Sequence, residues 1–172
     1  PLPVFLWIMK IKVFRIAMIC LVILWMSVIF GFSAQGATES ASLSKGLKYK
    51  LFVVFYPDFD QMTEIDQQEL LDNFPIRKMA HFSMYFLLGI LVFNAFITYR
   101  KLSLKLRGLF SVAVCVIFAV TDEIHQYFVP GRSCEIRDML IDTAGALLSI
   151  LLVFIFCRVS KKIYSRIKSE EC

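Results

Sequence analysis

The sequence predicts an all-α integral membrane protein with four transmembrane helices, and two observations support this fold class. Hydrophobic residues make up 58 % of the 172-residue chain and charged residues 19 %, whereas a soluble domain has about 45–50 % apolar and about 25 % charged residues. Four apolar runs also approach the roughly 20 residues that a helix needs to cross a bilayer. A chain of this length cannot bury so much apolar surface in a water-soluble core. The composition excludes a disordered, collagen-like or disulfide-rich secreted protein.

The four predicted spans are apolar runs with basic or polar residues at their ends. They cover about 13–32, 79–99, 109–128 and 139–157. The third run reaches full length only if it includes Asp122 and Glu123, and the fourth includes Asp142. Because an ionisable group in a membrane is costly without a partner, these acids are expected to face other helices and to serve a function.

The N-terminal region poses two questions, where the native chain starts and whether the first span is cleaved. Residues 1–8 precede a Met-Lys pair, so we expect them to be an upstream or non-native extension, with Met9 as the natural start. The basic start and apolar run also resemble a signal peptide, but Phe32 fits poorly the small residue that a cleavage site needs. We therefore predict an uncleaved span, a membrane domain over 9–158 and a basic cytoplasmic tail over 159–172.

The distribution of basic residues predicts that both termini lie on the cytoplasmic side (N-in/C-in). In that orientation 12 of the 19 basic residues lie inside and 12 of the 14 acidic residues outside, as the positive-inside rule requires. The basic residues form short flanks beside apolar runs, not a stripe interleaved with aromatics, so nucleic acid is not expected as a partner. This orientation places one long loop, 33–78, outside the membrane.

The outer loop is expected to form a short subdomain. Its first part, 33–44, has the small and polar composition of a flexible segment. The apolar run 51–56 is too short to span and is expected to lie on the membrane surface or to pair as a strand. Asp66 and Glu69 resemble a capping box that opens a short helix through Asp72.

Polar side chains of the last three spans are expected to converge near the outer surface. Tyr85, Asp122 and Asp142 lie 15 or 16 residues from the basic inner flanks, which corresponds to a height of about 22–24 Å. His81, His125, Gln126 and Asp138 form a second layer at about 27–30 Å. The residues predicted to bind a substrate there are Lys78, His81, Tyr85, Asp122, Glu123, Gln126, Arg132, Arg137, Asp138 and Asp142.

Other interpretations of these polar residues remain open. Interfacial polar residues and ion pairs often serve only to hold helices together. The histidines and acids are acceptable metal ligands, but no HExxH-like spacing occurs, so neither a metal nor another cofactor is expected. Ser83 and Ser133 lack the context of a catalytic serine. The five cysteines show no zinc or redox spacing, and those in the spans are expected to behave as small hydrophobic residues.

Two segments resemble the signature motifs of the VanZ-like family. The first is Arg77-Lys-Met-Ala-His-Phe-Ser-Met-Tyr85 at the second span. The second is Glu123-Ile-His-Gln-Tyr-Phe-Val-Pro-Gly-Arg132, followed by Asp138, Asp142 and Gly145. The Ser-containing stretch 32–35 after the first span is similar as well, so the resemblance covers about 13–157.

The resemblance implies a multi-pass protein of the bacterial cytoplasmic membrane that belongs to the cell envelope. The family takes its name from a protein linked to antibiotic resistance, since it lowers susceptibility to the glycopeptide teicoplanin. The family supplies no settled reaction. This sequence has Ser149 where a glycine is frequent, Asp142 where an asparagine is frequent, and Cys134 within the turn after the third span.

The leading hypothesis is an envelope protein whose outward-facing polar pocket recognises an anionic lipid-linked or cell-wall group. Lys78, Arg132 and Arg137 would contact its phosphate or carboxylate. The alternative is an intramembrane enzyme acting on a lipid or cell-wall precursor, with the catalytic candidates His81, Glu123, His125 and Asp138. A small transporter or assembly partner is the second alternative. The expected partners are membrane lipids and a lipid-linked cell-wall precursor.

Overall fold

The fold is all-α, with four helices long and apolar enough to cross a membrane. A computed structural model describes the backbone of residues 2–170 and the side chains of residues 9–167. The helices are α1 (Leu2–Ser33), α2 (Ala37–Phe55), α3 (Glu64–Asn73), α4 (Ile76–Ile97), α5 (Leu104–Tyr127) and α6 (Ile136–Glu170). Helices α1, α4, α5 and α6 are the spans, which confirms the predicted fold class; the N-in/C-in orientation stays a prediction.

Two predictions concern the chain ends. Pro1, Glu171 and Cys172 lie outside the described residues, as do the side chains of 2–8 and 168–170. The assignments of 1–8 as an extension and of 159–172 as a cytoplasmic tail therefore stay predictions.

The spanning helices extend beyond the apolar runs that predicted them. Helix α5 begins at Leu104 instead of residue 109, because the Ser103 hydroxyl accepts a hydrogen bond from the Leu106 N–H (3.3 Å) and caps the helix. Helix α6 continues to Glu170, well past the predicted end at 157. Hydropathy marks the part of a helix that lies in lipid, whereas caps and solvated turns set where the backbone stops being helical.

Helix α4 is central and packs most closely on α6. Close approach depends on Gly89 and Gly145, since a Cβ on Gly89 would collide with the Ser149 hydroxyl and the Ala146 carbonyl. A Cβ on Gly145 would collide with the Phe82 carbonyl oxygen of α4. Small residues at a membrane helix interface let the two backbones come together.

Helix α1 is attached to α4 at two points. The Arg15 guanidinium donates to the Thr98 hydroxyl (3.0 Å) and carbonyl (3.1 Å), where it satisfies the C-terminus of α4. Further along, the Trp25 indole N–H donates to the Met84 carbonyl oxygen at 2.9 Å. These contacts fix the rotation of α1, so that Ser33 faces the outer end of α5.

Two expectations for the outer loop are wrong. Residues 37–44 of the segment predicted as flexible and nearly all of the apolar run 51–56 belong to one helix, α2, and not to a flexible segment and a strand. That the run lies on the membrane surface stays a prediction. The N-cap of α3 is Thr63, whose hydroxyl accepts from the Asp66 N–H at 3.2 Å, instead of the expected capping box that starts at Asp66. A small core of Phe52, Phe59 and Leu71 holds α2 and α3 together.

Candidate functional site

Three carboxyl groups and one phenol are fully buried where the outer parts of α4, α5 and α6 meet. Asp122, Glu123, Asp142 and Tyr85 all have 0 % exposed area. Tyr85 lies within electrostatic range of the three acids. The predicted lower layer of Tyr85, Asp122 and Asp142 therefore comes together between three helices, as their equal heights indicate.

Asp122 is held by a hydroxyl and an amide. Its Oδ2 accepts hydrogen bonds from Ser33 Oγ of α1 (2.8 Å) and from Gln126 Nε2 (3.3 Å). The other end of that amide, Gln126 Oε1, accepts from Arg132 Nη1 at 2.8 Å. Gln126 thus connects the buried acid to the guanidinium in the α5–α6 loop and fixes the position of both.

Glu123 caps the last helix. Its Oε2 accepts the backbone N–H of Glu135 at 3.0 Å, immediately before α6 begins at Ile136. A carboxylate at a helix N-terminus satisfies a free N–H and interacts favourably with the helix dipole. This contact assigns Glu123 a structural role that its position in the sequence did not reveal.

His81 and Asp142 form the closest acid–base pair of the site. His81 Nδ1 lies 3.3 Å from Asp142 Oδ1, and the acid is fully buried while the imidazole is 18 % exposed. No described side chain hydrogen-bonds the other ring nitrogen, Nε2. The pair thus has a buried carboxylate behind the ring and an open edge in front of it.

The open side of His81 borders two adjacent cavities. The first, the polar cavity, has a volume of 300 Å³ and is lined by Ser44, Lys48, Phe74, Pro75, Ile76, Arg77, Lys78, His81, Glu135 and Asp138. The second, the apolar cavity, has a volume of 240 Å³ and contains Ile29, Phe32, Leu43, Leu47, Ala80, Met84 and Arg132 in its wall. Arg77 and His81 line both cavities, so the two spaces share a border.

The arginine and lysine side chains at these cavities form no ion pair within the described residues. Among residues 9–167, no carboxylate lies within ion-pair distance of Arg77, Lys78 or Arg132. The Arg132 Nε is buried without a hydrogen-bond partner in the same part of the chain. Burial and the neighbouring Arg77 guanidinium lower the pKa of Arg132 below its ordinary value, and an arginine remains charged at neutral pH nonetheless.

Three of the predicted site residues differ in position from the expectation. His125 stacks on Phe30 of α1, with ring centroids 3.9 Å apart, instead of facing α4 and α6. Arg137 lies about 100° around α6 from Asp138; it is exposed, and its side chain contacts no partner within the described region. From the cluster of acids we also expected Arg132 or Arg137 to pair with one of them; neither forms an ion pair within the described residues, and Arg132 donates to the Gln126 amide oxygen instead.

The other predicted residues surround or form the site. Lys78, His81 and Asp138 line the polar cavity, and Tyr85, Asp122, Glu123, Gln126 and Asp142 are buried beside it. Their binding or catalytic roles remain predictions. Sequence reasoning missed Ser33, Lys48 and Arg77, although Arg77 stands at the start of the motif that was identified.

Several oxygens of the buried cluster have no donor in the described part of the chain. They are Tyr85 Oη, Asp122 Oδ1, Glu123 Oε1, Asp138 Oδ1 and both Asp142 oxygens. Within residues 9–167, no three His, Cys, Asp or Glu side chains are arranged to hold a metal ion. Ordered water or a proton held between two carboxyls satisfies such oxygens.

One comparison with known proteins identifies a relationship. The family model described as VanZ/LLP1 matches residues 18–157, which is more than half of the chain and includes every buried acid of the site. The search of curated proteins and the search of solved structures both returned no match.

Proposed function

Because this chain belongs to the VanZ/LLP1 family, we propose that it is a cell-envelope protein of the bacterial cytoplasmic membrane that binds an anionic lipid-linked or cell-wall group. The binding site is the part of the apolar cavity that Arg77 and Arg132 line, together with the polar cavity that borders it. By analogy with the protein that gave the family its name, occupation of the site lowers susceptibility to teicoplanin.

The proposal depends on one observation, the two unpaired arginines at the same cavity. Arg77 and Arg132 both line the apolar cavity, close enough to repel each other. No carboxylate of the described residues lies within ion-pair distance of either one, although Asp122, Glu123 and Asp138 attract Arg132 from farther away. Two like charges held together are stabilised by an anion between them. Guanidinium groups present paired N–H donors that match phosphate and carboxylate oxygens.

The buried acids support this site from behind. Asp122 holds Gln126, and Gln126 in turn holds Arg132 Nη1. Among the described residues Nη2 has no hydrogen-bond partner, so it is the group left for an incoming oxyanion, whereas Nε is buried. Lys48 and Lys78 add positive charge on the polar side, although Lys48 Nζ also donates to the Leu71 carbonyl at 2.6 Å. A site whose donors are already oriented loses little entropy when it binds.

The test measures anion binding by the whole chain in uncharged detergent. Glycerol 3-phosphate is expected to raise the melting temperature of the wild type, because a ligand of the folded state stabilises that state. Arg77→Gln and Arg132→Gln should remove most of the shift. Arg137→Gln is the matched control, since this arginine lies in the same region but is exposed and outside both cavities.

The same variants give the cellular test. Expressed at equal amounts, the wild type and Arg137→Gln should lower teicoplanin susceptibility of a sensitive bacterium, and Arg77→Gln and Arg132→Gln should not. Absence of any phosphate-dependent shift in the wild type would refute the proposed binding site. Equal shifts in all four proteins would show that the anion binds elsewhere.

An enzyme is the second candidate, and the His81–Asp142 pair favours it. A buried carboxylate 3.3 Å from Nδ1 favours a proton on that nitrogen, which leaves Nε2 able to accept a proton from a molecule in the cavity. The bound molecule would then contain a phosphate ester or another hydrolysable bond. His81→Gln should abolish product formation while the binding of glycerol 3-phosphate persists; a chemically unchanged lipid fraction with the wild type would exclude this candidate.

A further inference from the structure

We infer that the group bound at Arg77 and Arg132 is the phosphate of a membrane lipid, and that the first part of its hydrocarbon chain lies in the apolar cavity. This inference rests on the proposed function. It adds the chemical class of the bound molecule and the side from which that molecule enters.

The two cavities differ in chemistry and meet at Arg77. On one side of Arg77, Lys48 and Lys78 make the polar cavity suitable for a charged headgroup. On the other side, Ile29, Leu47 and Met84 make most of the neighbouring wall apolar. A molecule that fills both spaces needs a charged part and a hydrocarbon part joined at the phosphate, which is the build of a lipid.

The apolar cavity is open toward the outside of the helix bundle. Three of its wall residues are about half exposed, namely Phe32 (48 %), Leu43 (53 %) and Leu47 (48 %). Phe32 lies in the last turn of the spanning helix α1, and the two leucines lie on α2. This apolar opening lies beside the end of a membrane span, so a lipid enters it sideways from the bilayer. A free sugar phosphate has no hydrocarbon chain that could pack against these apolar walls.

The polar cavity also limits the charge of the headgroup. Besides the basic residues, its wall contains Glu135 and Asp138. A second negative group beyond the phosphate would face these carboxyls and would be repelled. The geometry therefore fits a lipid with a single phosphate.

The test compares ligands with and without a chain. Dioleoyl phosphatidate, glycerol 3-phosphate and dioleoylglycerol are titrated into the whole protein in uncharged detergent, and apparent affinities are derived from melting temperatures. Each buried methylene strengthens binding about fourfold, so two or three of them should make phosphatidate bind more than about tenfold tighter than glycerol 3-phosphate. Dioleoylglycerol should give no shift, since it lacks the phosphate.

Two variants test the position of the chain. Ala80→Phe fills the apolar cavity, and Leu47→Asn makes its exposed wall polar without added bulk. Both should reduce the advantage of phosphatidate to about twofold or less, the gain from less than one buried methylene, and leave glycerol 3-phosphate binding unchanged. Met79→Phe is the matched control, because the adjacent residue lines a different cavity, one between α2 and α3. Comparison between variants removes the contribution of lipid partition into micelles.

The outcomes separate the two proposals. Equal affinities for phosphatidate and glycerol 3-phosphate in the wild type would overturn the lipid inference and leave the anion site intact. An unchanged phosphatidate advantage in both Ala80→Phe and Leu47→Asn would also overturn it. No shift with either phosphate would refute the anion site and, with it, the inference.

Discussion

At the scale of single residues, the outer polar cluster is stabilised by donors that come from different helices. Asp122 on α5 depends on Ser33 of α1, and Glu123 depends on the N–H of Glu135 at the start of α6. A buried acid that loses a donor keeps its desolvation cost and loses the compensation. A group that donates to one of these buried acids therefore contributes more to stability than a group that donates in an exposed hydrogen bond.

Ser33→Ala tests this dependence. Removal of the hydroxyl that donates to Asp122 Oδ2 should lower the free energy of unfolding by about 1–3 kcal/mol. Ser27→Ala is the control on the same helix, since its hydroxyl bonds only the Ile23 carbonyl and is exposed; it should change stability by less than about 0.5 kcal/mol. Denaturant unfolding in detergent measures both, and equal losses would contradict the role of Ser33.

Asp142→Asn removes the charge that lies beside His81. An amide has nearly the same shape as the carboxyl group but carries no charge. The affinity for glycerol 3-phosphate should therefore stay within about twofold of wild type, because the substituted residue does not line either cavity. Any reaction that needs His81 as a base should fall strongly, and a binding loss above tenfold would place Asp142 in the anion site.

The sequence predicted part of this cluster and not the rest. Helical periodicity and distance from the inner flank brought Tyr85, Asp122 and Asp142 together, because both quantities are properties of one helix. Ser33 and Arg77 were not predicted as site residues, since their contacts depend on how α1 and α2 rotate against α4. His125 was misplaced for the same reason: its face of α5 packs on Phe30 of α1.

At the scale of elements, α2 shows where a short apolar run misleads. The run 51–56 fits a strand as well as a helix, since fewer than two helical turns do not define a period. The helix instead begins at Ala37, whose N–H donates to the Pro130 carbonyl at 3.4 Å, and it buries Phe52 against Phe59 and Leu71. Tertiary packing decided the conformation, and this packing is absent from the local sequence.

The α4–α6 interface gives the element-scale prediction. Gly145→Ala should destabilise the fold by about 1–3 kcal/mol, because the new Cβ would collide with the Phe82 carbonyl and force the helices apart. Gly31→Ala on α1 is the matched control, since its Cβ would meet no atom within 4 Å. It should be neutral or stabilising, as alanine favours a helix over glycine. Similar losses in both variants would contradict the close approach.

At the scale of the whole molecule, the predicted orientation determines which side the anion site faces. Both cavities lie at the ends of the spans opposite to Arg15 and Arg107. With both termini in the cytoplasm, the site faces the cell wall, where an envelope function requires it. The reverse orientation would expose it to the cytoplasm instead, and the proposed link to teicoplanin would have no structural basis.

Cys134 provides the test of orientation. It is exposed in the α5–α6 loop next to the anion site, whereas Cys115 is buried and Cys20 and Cys157 lie within spanning helices. An impermeant maleimide added to intact cells should label the wild type, because a solvated thiol reacts and a thiol surrounded by lipid does not. Cys134→Ser should abolish this labelling, and glycerol 3-phosphate binding should persist in the variant. Labelling of Cys134→Ser in intact cells would instead indicate that Cys172 lies outside. The orientation would then be the reverse of the predicted one.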